Sequence, residues 1–239
     1  MNFSFSQMSS SRPSQARPIE SRGRRHGIRS AIVALALATG SFLAFGGGTA
    51  AAQSAELAIN ALAPEITASA DLAVIAYDEY VASGDLGDYL EYAGHRNATA
   101  RLAARQLGYN EFAMIESWRS TTIHHQRAVL AAMSQIGVPY RRNTSIEGKG
   151  FDCSGITSFA WGSAGHELVR QSGSQISRAA RVDRDTAKAG DLVHYPGHIM
   201  MYLGVEDAIV HSIQTGRTVE IDTISGRRRN SVRWGDPSV

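Results

Sequence analysis

Residues 151–159 read Phe151-Asp152-Cys153-Ser154-Gly155-Ile156-Thr157-Ser158-Phe159, and they hold the only cysteine of a 239-residue chain. A lone cysteine has no intramolecular disulfide partner and cannot build a cysteine-rich metal site, so a chemical role stands beside the plainer one of a buried structural thiol. Asp152 is a good helix N-cap, which places Cys153 in the first turn. Ile156, Phe159 and Ala160 then recur at the i, i+3, i+4 spacing of a core-facing stripe. Unpaired N–H groups and the macrodipole at a helix start favour a thiolate, so the thiol is expected below its ordinary value near ~8.5.

A base for that thiol is sought downstream. Asp191 to Gly204 (DLVHYPGHIMMYLG) reads as two short strands joined by a Pro196-Gly197 turn, and Ala208-Ile209-Val210-His211-Ser212 reads as a third strand. In the second of these, His198, Met200 and Tyr202 share one face and Ile199, Met201 and Leu203 the other. A nucleophilic cysteine needs a base, and the base needs a polar group to fix its tautomer and orientation. Cys153, His198 and His211 fit those roles in order. Each histidine taken alone is equally readable as a half-buried strand residue with a satisfied hydrogen bond.

Five segments in this order resemble the NlpC/P60 cysteine peptidases of bacterial cell walls. They are Gly137-Val138-Pro139-Tyr140, Phe151 to Gly155, Ala189-Gly190-Asp191-Leu192-Val193, His198 to Gly204 and Ile209-Val210-His211-Ser212. The resemblance covers about residues 125 to 235. It implies an α+β, papain-like domain in which the cysteine helix packs on an antiparallel sheet that carries the histidines. It also implies hydrolysis of peptidoglycan stem peptides, commonly between D-glutamate and a diamino acid such as meso-diaminopimelate. Tyr140, Asp152 and Ser154 match positions that line the unprimed side of the pocket in part of the family, where a free N-terminal ammonium pairs with the aspartate. Asp152 thus has two readings, helix cap and ammonium partner. The chain departs from the family pattern at Met200, at His194-Tyr195 and at Leu168-Val169-Arg170, positions that shape the pocket.

The implied chemistry is acyl transfer to water through a Cys153 thioester, with His198 as base and then acid, His211 as its orienting group and the Cys153 N–H as an oxyanion donor. Two other readings use the same residues: a non-catalytic wall-binding or regulatory protein, and a thiol acyltransferase or amidase on the same scaffold.

The N-terminus bears on where this happens. Arg22, Arg24, Arg25 and Arg29 precede an apolar run from Ala31 to Phe45, and Ala50-Ala51-Ala52 offers a small-residue cleavage site, so residues 1–52 read as an export signal. About fifteen apolar residues fall short of the ~20 a membrane span needs, so no stable membrane anchor is expected and the product is secreted or wall-associated. Removing that segment takes away six arginines and one glutamate, which turns the formal charge from +2 to −3. The basic balance therefore belongs to the signal and does not indicate nucleic-acid binding, and Arg227-Arg228-Arg229 reads as a solvated turn.

Residues 53–123 are alanine-rich and mostly helical by pattern, broken at Gly84, Gly87, Gly94 and Gly108, and the catalytic domain spans 124–239. Its first helix is expected over Gln126 to Ile136, and Arg141 to Gly150 as a loop. His124-His125 does not suggest a metal site, because adjacent helical side chains point about 100° apart and no CxxC or HExxH motif accompanies them. No cofactor is expected.

Overall fold

The computed structural model describes residues 60–239. Residues 1–52, expected to be an export signal, and the first residues of the segment expected to be helical lie outside the described residues.

Four helices come first. Helix α1 (Ala63–Ser83) starts with a proline in its first turn and stops at Gly84, whose φ of 67° lets its N–H reach back to Tyr80 O. Helix α2 (Leu86–Leu107) is capped by Asp85, which accepts from Gly87 N at 2.6 Å, and ends at Gly108. The two pack through alanine-rich faces, Ala70, Ala73 and Ala76 on α1 and Ala100, Ala103 and Ala104 on α2, where small side chains allow close approach. Helix α3 (Glu111–Arg119) and helix α4 (Ile123–Met133) follow, capped by Asn110 and Thr122. Every residue of α4 from His125 to Met133 is buried, because α1 covers one side and the cysteine helix the other. The Thr122 cap starts this helix three residues before the position expected from the apolar pattern.

The segment 141–150 is not the plain loop expected: Ser145–Ile146 (β1) pairs antiparallel with Gly150–Phe151 (β2). The cysteine helix α5 (Cys153–Ser163) follows directly, then a short helix α6 (Ser172–Arg178). Strands β3 (Ala180–Val182), β4 (Leu192–Tyr195), β5 (His198–Tyr202), β6 (Ala208–Ser212), β7 (Val219–Thr223) and β8 (Arg233–Asp236) form one antiparallel sheet in the order β3-β8-β4-β5-β6-β7. The Pro196-Gly197 turn closes the β4–β5 hairpin with Tyr195 opposite His198, and Gly197 takes the positive φ of 90° that the turn demands.

The alternation read in β5 separates two apolar layers. Ile199, Met201 and Leu203 join Leu192, Val210 and Ile221 under the helices, whereas Met200 and Tyr202 join Val193, Ile209 and Trp234 on the opposite face. Each buried side chain of this size is worth about 1.5–3 kcal/mol relative to exposure. The fold is α+β, an antiparallel sheet with the cysteine helix against it and a helical segment before it.

That helical segment is tied into the rest of the fold by specific bonds. Trp118 Nε1 donates to Leu203 O at 2.8 Å, and Asn60 Oδ1 accepts from Ile221 N at 3.1 Å. Gln126 on α4 accepts from Tyr92 and from Arg96, both at 2.7 Å. Among the described residues no helix is long and apolar enough to cross a membrane.

Candidate active site

Asp152 caps α5 by accepting from Gly155 N at 2.8 Å, which sets Cys153 as the first helical residue. The next step of the chain is sterically closed. A Cβ on Gly155 would stand 2.1 Å from Thr144 O, so only glycine lets the helix start approach the preceding strand pair. Thr144 O in turn accepts from Asp152 N at 3.0 Å. The Asp-Cys-Ser-Gly run is therefore a local folding unit as well as a chemical one.

The Cys153 thiol is half-buried and faces three backbone N–H groups, those of Ile199, Ser154 and Cys153 itself. Burial nevertheless raises its pKa above the ordinary thiol value, aided by the nearby Asp152 charge; the N–H groups pull the other way and are outweighed. The expectation of a lowered thiol pKa is corrected by desolvation. At rest the sulfur holds its proton, and activation requires a base to remove it.

Ile199 follows His198 in β5, so the N–H donor that bears on the sulfur comes from the residue after the imidazole. His198 is buried, with Nε2 3.0 Å from His211 Nδ1. Burial, then the neighbouring His211 and His194, push its pKa down to about 3. It is a neutral base at ordinary pH. His211 is buried on β6, one strand over, and Ser212 Oγ donates to Phe151 O at 2.8 Å, fastening the His211 strand to the residue that leads into Asp152. His198 and His211 thus form a buried imidazole pair, and the N–H of Ile199, next to His198 in the chain, bears on the Cys153 sulfur.

Tyr140 lies half-buried beside this group. Burial and then the Cys153 and Asp152 charges raise its pKa. Asp152 and Ser154 are both buried and both engaged within the protein: Arg170 reaches Asp152 Oδ2 at 2.7 Å and Ser154 Oγ at 2.8 Å, and Asn143 N donates to Asp152 Oδ2 at 2.7 Å. The carboxylate thus caps a helix and carries an internal guanidinium partner.

Several residues at the site were not singled out as site residues from sequence. Tyr195 has its ring 5.3 Å from that of His198, is electrostatically close to Cys153, and is covered by Arg228 at 4.4 Å. Arg228 belongs to the run read as a solvated turn. Glu220 sits opposite His211 in the β6–β7 register, and Gln175 bonds Thr157 and the Ser154 carbonyl beneath the helix start. None of these carries a motif; only strand pairing brings Glu220 to His211.

His124 and His125 do point apart. His124 Nδ1 meets Ala164 O at 2.9 Å, whereas His125 Nε2 lies 3.2 Å from Asp191 and 3.4 Å from Asp236, a buried tie between α4 and the sheet.

The NlpC/P60 family model matches residues 137–235. Over those residues the chain is similar to the NlpC/P60 family. Among curated relatives, a gamma-D-glutamyl-L-lysine dipeptidyl-peptidase of Bacillus subtilis is 33% identical over 98 residues, covering 38% of this chain and 32% of the relative. The peptidoglycan endopeptidase RipB of Mycobacterium tuberculosis is 38% identical over 89 residues, covering 30% of this chain and 37% of its own. A crystal structure of an NlpC/P60 family protein from Bacillus cereus aligns at 28% identity with a TM-score of 0.43, covering 47% of this chain and 40% of that one. The chain spans about a third of the length of the two curated relatives.

Proposed function

We propose that this NlpC/P60 chain is an exported cysteine endopeptidase that hydrolyses peptidoglycan stem peptides, at a D-glutamyl–diamino acid bond, through a thioester on Cys153. The observation that carries the reading is the assembly of a single half-buried thiol at a helix start with a neutral, buried imidazole on the adjoining strand and a second imidazole 3.0 Å behind it. The curated relatives, named as a dipeptidyl-peptidase and an endopeptidase of peptidoglycan, support the substrate class. The positively charged and apolar N-terminal residues support export and a secreted or wall-associated location.

The residues divide the chemistry as follows. His198 takes the Cys153 proton through its free ring nitrogen, Nδ1, since Nε2 is committed to His211. The thiolate attacks the amide carbon and the carbonyl oxygen becomes an oxyanion, met by the Cys153 backbone N–H. Collapse breaks the C–N bond as the imidazolium of His198 gives its proton to the leaving amine. Water, deprotonated by the same imidazole, then attacks the thioester carbon, and the C–S bond breaks to release a carboxylate and the thiol. Tyr140 and Tyr195 lie within electrostatic reach of the sulfur, and Asp152 and Ser154, either side of Cys153 in the chain, are tied together by Arg170.

Mass spectrometry of purified peptidoglycan after digestion tests this reading. The expected products carry a new D-glutamyl carboxylate and a new diamino-acid amine; transfer products or an intact polymer would overturn it.

A further inference from the structure

His211 presents its second ring nitrogen to a carboxylate that the mechanism above does not use. Glu220, opposite His211 on β7, is 1% exposed, and its Oε1 lies 3.5 Å from His211 Nε2. That nitrogen is buried and makes no hydrogen bond, so the Glu220 carboxylate at 3.5 Å is the nearest acceptor it can turn to. Glu220 is itself held by Arg217, whose Nη2 reaches both carboxylate oxygens at 2.7 Å. We propose that Glu220, clamped by Arg217, is a positioning residue that fixes the tautomers of His211 and His198 and so decides which nitrogen faces the thiol.

The reasoning is one of donors and acceptors. An ionised carboxylate only accepts, so Glu220 selects the His211 tautomer with its proton on Nε2. His211 Nδ1 is then bare and must accept from His198 Nε2 across their 3.0 Å contact. With its proton on Nε2, His198 has a bare Nδ1, the form able to take a proton from Cys153. The opposite tautomers would put a proton on His198 Nδ1 and leave it unable to act as base. Burial alone would push the Glu220 pKa up, but His211 and Arg217 together hold it below the usual carboxylate range, so the anion persists at neutral pH.

The other charged groups facing this pair do not substitute for Glu220. Asp222, also on β7, is 4.0 Å from His211 Nε2 with its side chain 47% exposed, and His194 on β4 bears on His198 as a neighbouring imidazole that offers no carboxylate.

The inference rests on the proposed Cys153–His198 chemistry, and the test separates the two. Cys153 is the only thiol in the chain, so the rate of alkylation by iodoacetamide against pH reports its ionisation without any peptidoglycan substrate. Glu220→Gln presents an amide N–H to His211 and reverses both tautomers. The expected result is a drop in stem-peptide kcat of at least about 10²-fold at neutral pH, the scale of losing a general base. The alkylation profile should move upward by about one pH unit or more, and the kcat deficit should narrow at alkaline pH, where the thiol ionises unaided. Asp222→Asn should leave both unchanged. A Glu220→Gln enzyme with the wild-type alkylation profile would overturn the proposal.

A second measurement needs no variant fold. Ring nitrogen shifts of 15N-histidine-labelled wild-type protein should show His211 and His198 both protonated on Nε2; protons on Nδ1 would overturn it equally. Wild-type protein that carries these tautomers but cleaves no stem peptide would instead sink the catalytic reading and leave the positioning assignment standing.

Discussion

Removing the Asp152 carboxylate should destabilise the fold mainly through the two backbone N–H groups it accepts from and only slightly through its ion pair. In Asp152→Ala the Gly155 N–H loses its cap, at about 1 kcal/mol. The Asn143 N–H loses its acceptor, at about another 1 kcal/mol. The Arg170 contact is 2.7 Å long, but 40% of the arginine side chain is exposed, so solvent screening limits that term to under about 1 kcal/mol. The sum is about 2–3 kcal/mol, or about 4–12 °C in Tm at about 2–4 °C per kcal/mol for a chain of this size. Urea unfolding of wild type, Asp152→Ala, Arg170→Met and the double variant separates the terms, provided the slopes agree. The expected coupling between the two positions is under about 1 kcal/mol. An Asp152→Ala protein within about 0.5 kcal/mol of wild type, or a coupling that absorbs the whole loss, would refute the assignment of Asp152 as a cap.

Three further outcomes are expected. His211→Asn and His211→Gln, which keep a polar group of similar reach, should retain more stem-peptide activity than His211→Ala, with His198→Ala the least active; a harmless His211→Ala would remove His211 from the site. Stability should fall as pH drops from about 6.5 toward 3, because unfolded His198 takes a proton near ~6.5 while the folded residue stays neutral down to about 3. Urea midpoints across that window check the sign, and a flat profile would contradict a buried neutral His198. A chain beginning at Thr121 should unfold more easily or aggregate, because it loses the Trp118–Leu203 and Asn60–Ile221 bonds and exposes α4; thermal unfolding at wild-type temperature would show that the helices are dispensable.

Much of the architecture was legible because it is written in local chemistry. The cap, the helix start and the glycine at 155 lie within four residues, and the β4–β5 hairpin announces itself through Pro196-Gly197 and the alternation after it. What sequence left hidden depends on long-range pairing. Strands β3 and β8 are short, and nothing local in β7 says which strand it pairs with, so neither Glu220 behind His211 nor Trp234 in the second apolar layer is visible in the sequence. The short β1–β2 pair is invisible in the sequence because two-residue strands show no period. The direction of the thiol shift was missed for a different reason: helix-start donors are local and readable, whereas the desolvation that outweighs them is a property of packing. Arg170 as the partner of Asp152 likewise requires the fold, being 18 residues away along the chain.

The most direct test of a thioester on Cys153 compares wild type with Cys153→Ala on one stem-peptide substrate, with circular dichroism to show that both are folded. Wild type is expected to hydrolyse the peptide and the alanine variant to fall to the uncatalysed background, since among the described residues no other thiol is available and the oxyanion donor alone has no nucleophile to serve. Hydrolysis by Cys153→Ala at near the wild-type rate would contradict the account.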